Sequence, residues 1–181
     1  SFTRSGALLD EAGKKKLRDL TEEASVLSLR FSQNLLKENK AFSLDIKDET
    51  LLDGLPETAR EAAAHTAKEQ GKEGWTFNLD FPSFSPFMTY STQRELRKKM
   101  YMARNTEGIH DNAENNVGIC TRLINLRREI AQLLGFDTYA DYVLKHRMAG
   151  NVKNVYKLLD ELIDAYKPTA IEEVKEIKEE A

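Results

Sequence analysis

The sequence predicts a mainly α-helical fold, a helical bundle with a long N-terminal helix and a small β element. Three observations carry that expectation. Apolar residues recur at spacings of three and four along most of the 181 residues. Helix stops and restarts punctuate those runs, at Gly71, Gly74, Gly135 and Gly150. Alternation of the strand type is confined to short stretches near residues 41–46 and 75–88, enough for two or three short strands.

Residues 1–6 read as a frayed lead-in, and helical signals begin near Leu8. Leu17, Leu20, Ala24, Leu27 and Phe31 then form a coiled-coil-like seam on a helix reaching about Asn39. At 1.5 Å per residue such a helix is roughly 45 Å long. Lys14, Lys15, Lys16 and Arg18 make a basic cluster that reads as a solvated helix face rather than an anion site. Ala41 to Ile46 alternates as a short strand, and Asp53-Gly54 breaks the chain. Pro56 suits the first turn of a helix that continues through the alanines to Gln70.

Trp75, Phe77, Leu79 and Phe81 alternate with Thr76, Asn78 and Asp80, so residues 75–81 are the best strand candidate and its aromatics read as core. Pro82 and Pro86 make residues 84–88 a loop or edge strand. Thr92 to Glu95 has the form of a capping box, opening a helix with Leu96, Met100 and Ala103 on one face and Tyr101 beside it. Residues 106–111 are a polar break.

Ile119, Leu123, Leu126, Ile130 and Leu133 lie on one helix face, with Cys120, Ile124, Ala131 and Leu134 as a second stripe. A face this wide predicts packing on two sides and a buried Cys120 thiol. Gly135 stops that helix, Asp137 fits as the next N-cap, and Tyr139, Tyr142, Val143 and His146 share the following face. After Gly150 and Asn151 the last helix carries Val152, Val155, Leu159, Leu162, Tyr166, Ala170, Val174 and Ile177, with a kink expected at Pro168. Glu172, Glu176 and Glu180 are one turn apart. Lys175 and Lys178 interleave with them, so the set reads as a solvated, ion-paired face rather than acid–base chemistry.

Composition excludes several functions. With 40% hydrophobic and 31% charged residues the balance is that of an ordinary globular chain. A net charge of −3 gives no basic footprint for nucleic acid. No run is long enough to span a membrane, and no signal peptide is evident. The single cysteine excludes an internal disulfide and fits a reducing compartment, so the expected location is cytoplasmic. The three histidines, His65, His110 and His146, never fall four apart. His110 and Glu114 do, but two ligands do not make a metal site. His146 reads as a packed histidine.

Four segments together resemble a known family. They are FSQNLLKENKAFSL (Phe31 to Leu44), DGLPETA (Asp53 to Ala59), FPSFSPFMTYSTQRELRKKMYMAR (Phe81 to Arg104) and LRREIAQLLGFDTYADY (Leu126 to Tyr142). In that order they resemble the thimet oligopeptidase family of zinc metallopeptidases, and RKKMYMARNTEG and HRMAGN look most similar to its bacterial peptidyl-dipeptidase branch. The resemblance implies a parent enzyme that cleaves short, unfolded peptides in a channel between two mostly helical halves. In the family, zinc is held by H-E-x-x-H and a later Glu in the C-terminal half of a much longer chain. None of that motif occurs here, so no catalytic, cofactor or metal residue is carried over. The 181 residues are expected to form a single N-terminal helical region, one wall of the channel, with neither zinc nor activity of its own. The start at Ser1 and the uncapped end at Ala181 fit a trimmed or truncated piece. The competing expectation is a non-enzymatic interaction module that binds partner helices through the Leu17–Phe31 seam and the last helix.

Overall fold

The computed structural model describes residues 6–180, so the predicted lead-in (but for Gly6) and the end at Ala181 lie outside the described residues. Seven α-helices, a two-stranded sheet and one 3-10 turn are found among them. In order they are α1 (Glu11–Ala41), β1 (Leu44–Ile46), the turn at Glu49–Leu52, α2 (Glu57–Glu69), β2 (Trp75–Phe77), α3 (Phe81–Tyr90), α4 (Arg94–Asn105), α5 (Val117–Leu133), α6 (Tyr139–Leu144) and α7 (Val152–Glu180). The expected architecture, helical with a long first helix and a small β element, is the one observed. The chain divides into two compact units.

Residues 25–123 form one unit. Its sheet pairs β1 and β2 antiparallel, with Leu44 opposite Phe77, Asp45 opposite Thr76 and Ile46 opposite Trp75. Leu44, Ile46, Leu52, Leu55, Ala63, Phe77, Leu79, Phe87 and Met100 make its core. Gly74 lies at φ +86°, and a Cβ there would collide with the Ile46 carbonyl, so only glycine lets the chain turn this close to β1. Gly71 ends α2 in a Schellman motif, its N–H donating to Lys68 O and that of Lys72 to Ala67 O.

Several expectations fail in this unit. The strands are shorter than the alternation implied. Ala41 still belongs to α1, and β2 stops at Phe77. Residues 84–88, expected as loop or edge strand, lie inside α3. Pro82 occupies its first turn, where a missing N–H costs nothing, and Phe84, Phe87 and Met88 have helical spacing. Pro86 does remove one internal hydrogen bond. The offset is Phe87, fully buried edge-on against Phe77 with ring centroids 4.8 Å apart. Phe81, expected inside a strand, is instead 79% exposed. The capping box does not form either. Gln93 is the N-cap of α4 and contributes no side-chain bond. Thr92 Oγ1 turns away to donate to Asp53 Oδ2 at 2.9 Å.

The other unit comprises the described parts of residues 1–24 and 124–181. Leu126 and Ala131 are buried, as the α5 periodicity requires. The second α5 stripe is not covered throughout, since Ile124 is exposed in this unit and Cys120 in the other. The thiol is therefore not a core group. Gly135 (φ +81°) closes α5, with Phe136 N–H donating to Ala131 O. The N-cap of α6 is Thr138 rather than Asp137. Its Oγ1 accepts from Asp141 N–H at 3.1 Å and donates to Asp141 Oδ2 at 2.6 Å. Phe136, Tyr139 and Tyr142 cluster, with Arg127 stacked 5.7 Å above the Tyr139 ring. His146, expected as packed, is exposed beyond the end of this short helix. Asn151 Oδ1 accepts from Asn154 N–H at 2.9 Å and opens α7, in which Pro168 is embedded.

Candidate functional site

The titratable side chains are spread apart. His65 and Glu69 form an exposed pair at 3.5 Å. His110 reaches across to α1, its Nδ1 lying 3.0 Å from Glu38 Oε1 and its Nε2 3.0 Å from Thr106 Oγ1. Glu114, the conceivable co-ligand of His110, lies instead 3.8 Å from Lys37. No group of three or more His, Cys, Asp or Glu able to hold a metal exists among the described residues.

Glu38 is the most elaborately held carboxylate. Its side chain is 9% exposed. It accepts hydrogen bonds from Gly108 N–H and, at 2.7 Å, from Asn112 Nδ2, besides facing His110. Burial raises its pKa, but the Gly108, Asn112 and His110 bonds together outweigh that and hold it below the usual carboxylate value. Nearby, Asn34 Nδ2 donates to Asn116 Oδ1 at 2.9 Å, and Asn116 Nδ2 to Phe31 O at 3.1 Å. These bonds fasten the loop between α4 and α5 to α1. Bonded in this way to α1, the cluster is a tether.

Asp45 is the second such anchor. Burial raises its pKa, yet hydrogen bonds from Lys72, Ser43 and Thr76 and the Lys72 charge bring it down to about 2. A hollow of about 390 Å³ lies between Leu36 of α1, Phe81 of α3 and the Arg104–Glu107 ion pair (3.2 Å). Its charged rim consists of that ion pair and Asp80, whose Oδ2 accepts from Asn78 Nδ2 at 3.3 Å. The basic cluster on α1 is solvated as expected, with Lys14 held 2.9 Å from Glu11.

What stands out is α7. Its apolar series has the periodicity of a buried face, yet none of its residues is buried. Tyr156, Leu158, Leu159, Leu162, Ile163 and Tyr166 are all exposed, and so are Ile171, Val174 and Ile177 beyond Pro168. Ile163 is 54% and Tyr166 68% exposed. From Tyr156 to Ile177 the stripe runs roughly 32 Å along the helix. A continuous apolar face of that length marks an interaction surface. The sequence identified its residues, and the competing expectation already offered this helix as a surface for partner helices.

Comparison with known proteins gives this geometry a context. Residues 87–181 match the family model described as Peptidase family M3. The chain is 35% identical over 181 residues to oligopeptidase A of Haemophilus influenzae, covering 98% of this chain and 27% of that protein. It is 31% identical to the dipeptidyl carboxypeptidase of Escherichia coli, over 98% of this chain and 26% of that one. Saccharolysin of Saccharomyces cerevisiae is 27% identical, over 98% and 24%. The chain therefore spans about a quarter of the length of the curated relatives it matches.

Proposed function

The chain belongs to peptidase family M3, and from that premise we propose that it is the N-terminal portion of a zinc metallopeptidase hydrolysing short oligopeptides. The observation that carries this reading is the alignment itself: 98% of this chain corresponds to 27% of oligopeptidase A. The uncovered α7 stripe supports it, because a peptidase divided at this point would lose what packs there.

In this reading the 181 residues form one N-terminal region and build a wall of the substrate channel, restricting entry to short, unfolded peptides. The remaining chain supplies an H-E-x-x-H motif and holds the zinc. No residue of the present chain is catalytic or a metal ligand, and alone it is inactive. The relatives bear the names oligopeptidase and dipeptidyl carboxypeptidase, so internal cleavage and release of C-terminal dipeptides are the two modes to separate. The expected setting is cytoplasmic, with neither nucleic acid nor membrane as partner. No helix of the described residues is long and apolar enough to cross a membrane.

The test sets the purified 181-residue chain beside the full-length product of its gene, on fluorogenic oligopeptides, with and without a chelator. Only the full-length product is expected to cleave, in a chelator-sensitive way, and to carry zinc. Chelator-sensitive cleavage by the short chain would overturn its inactivity. A gene product ending near residue 181 would leave family descent only, and make the helical interaction module the better account.

A further inference from the structure

The protons of the Glu38 tether can be counted. Thr106 has one hydroxyl proton, and it goes to Met102 O, 2.7 Å away, an atom that can only accept. Towards His110 Nε2, at 3.0 Å, Thr106 Oγ1 therefore offers a lone pair. Nδ1 lies 3.0 and 3.1 Å from the two Glu38 oxygens. Glu38 also accepts from Gly108 N–H and Asn112 Nδ2, and its pKa lies below the usual carboxylate value, so it faces the ring as an ionised acceptor. Both ring nitrogens thus meet acceptors. A neutral imidazole has one N–H to give, an imidazolium two. Only the imidazolium completes every one of these bonds.

We propose that His110 is a pH-sensitive latch, which holds the middle of the loop between α4 and α5 against α1 while its ring carries two protons. Loss of one proton leaves Nδ1–H beside Glu38 and costs a bond at the other end. Either Nε2 drops Thr106, or Thr106 turns its hydroxyl to Nε2 and leaves Met102 O with the Thr106 N–H alone, at 3.1 Å. It also removes the positive charge opposite Glu38. The hold is therefore complete on the acid side and weakens as pH rises through the titration of the ring. An imidazole changes charge between about pH 5 and 8, and this ring is half-exposed and open to solvent protons. Its charged neighbours besides Glu38 are Lys37 of α1, 3.8 Å from Glu114 of the loop, Arg104 of α4, 3.2 Å from Glu107, and the adjoining Asp111. None of these is a histidine. The second anchor of the loop, Asn116 on Asn34 and on Phe31 O, holds no titrating group. Opening is thus confined to the middle of the loop, whatever a longer parent chain supplies.

The test is NMR of the 181-residue chain between about pH 5 and 8. Ring 15N shifts should show both nitrogens of His110 protonated at the acid end and Nδ1 alone protonated at the other. The Gly108 amide, its exchange rate set against that of an unstructured chain at each pH, should lose protection by about threefold or more, as expected for one net hydrogen bond. The Cys120 amide, which donates to Asn116 O at the start of α5, should keep its protection. His110→Gln should abolish the fall and Thr106→Val lessen it, while His65→Gln and His146→Gln leave it as it was. A neutral ring protonated on Nε2 would overturn the proposal. So would a Gly108 amide of constant protection in the unaltered chain, a Cys120 amide that falls in parallel, or a fall that survives His110→Gln. The ring shifts and the two amides are read without any substitution, so the proposal can fail even where a variant does not fold.

Discussion

Replacing Phe87 and Phe81 separately by alanine distinguishes the helix seen at residues 81–90 from the strand that alternation predicts. Phe87 is 0% exposed and sits 4.8 Å from the Phe77 ring, on a core that includes Leu79 and Met100. Deleting a fully buried phenyl costs about 3–5 kcal/mol, the lost transfer energy plus that of the cavity left behind. For a chain of this size each kcal/mol shifts Tm by about 2–4 °C, so Phe87→Ala should lower it by roughly 6–20 °C. Phe81 is 79% exposed, and Phe81→Ala should change stability by no more than ~0.5 kcal/mol. Urea titration followed by far-UV circular dichroism measures both. If Phe81 lay on the inner face of a longer strand with Trp75, Phe77 and Leu79, its loss would be the costly one. Equal losses, or a larger loss at Phe81, would refute the helical assignment.

Other consequences follow from the tethers. Glu38→Ala leaves the Gly108 N–H and Asn112 without their acceptor and should cost about 1–3 kcal/mol, with faster proteolysis between residues 106 and 116 as the readout. Asp45 has a folded pKa of about 2, below its ordinary 3.8. Its contribution is therefore complete above about pH 4 and lost as pH falls towards 2. The side chain is 42% exposed, so the effect is small, and Asp45→Asn should flatten the acid limb of a plot of urea midpoint against pH. Superimposed limbs would contradict it. Cys120 is exposed, so one equivalent of a thiol reagent should label the folded chain without denaturant. Labelling that waits for unfolding would restore the buried thiol.

The features legible in the sequence are those that local chemistry determines. The periodicities of α1, α2, α4, α5 and α7 mark helices whatever surrounds them, and Gly71 and Gly135 adopt the positive φ that ends a helix, whereas Gly150 takes it in the turn before α7. The misreadings arise where tertiary packing decides. Pro82 and Pro86 argue against a strand but equally permit a helix anchored by Phe87. Asp137 and Thr138 are both competent caps, and only chain direction selects Thr138. Periodicity shows which side chains of α5 and α7 are apolar but not what covers them, so Cys120 was expected inside although it is exposed, while the last helix was expected as a surface for partner helices only in the competing reading. Of the candidate site, the scattered histidines could be read directly. The tether on Glu38 could not, because Gly108, His110 and Asn112 meet it from about seventy residues away.

Hydrogen exchange of α7, measured in the 181-residue chain and again in the full-length product of the same gene, tests the central claim most directly. Half-exposed along its apolar face, α7 should open locally and exchange fast in the short chain. Covered by the rest of the enzyme, its amides from Tyr156 to Ile177 should slow by on the order of a hundredfold, equivalent to about 2.7 kcal/mol of added local stability. Equal exchange in the two would mean that nothing packs on α7 in the parent, and would contradict the account.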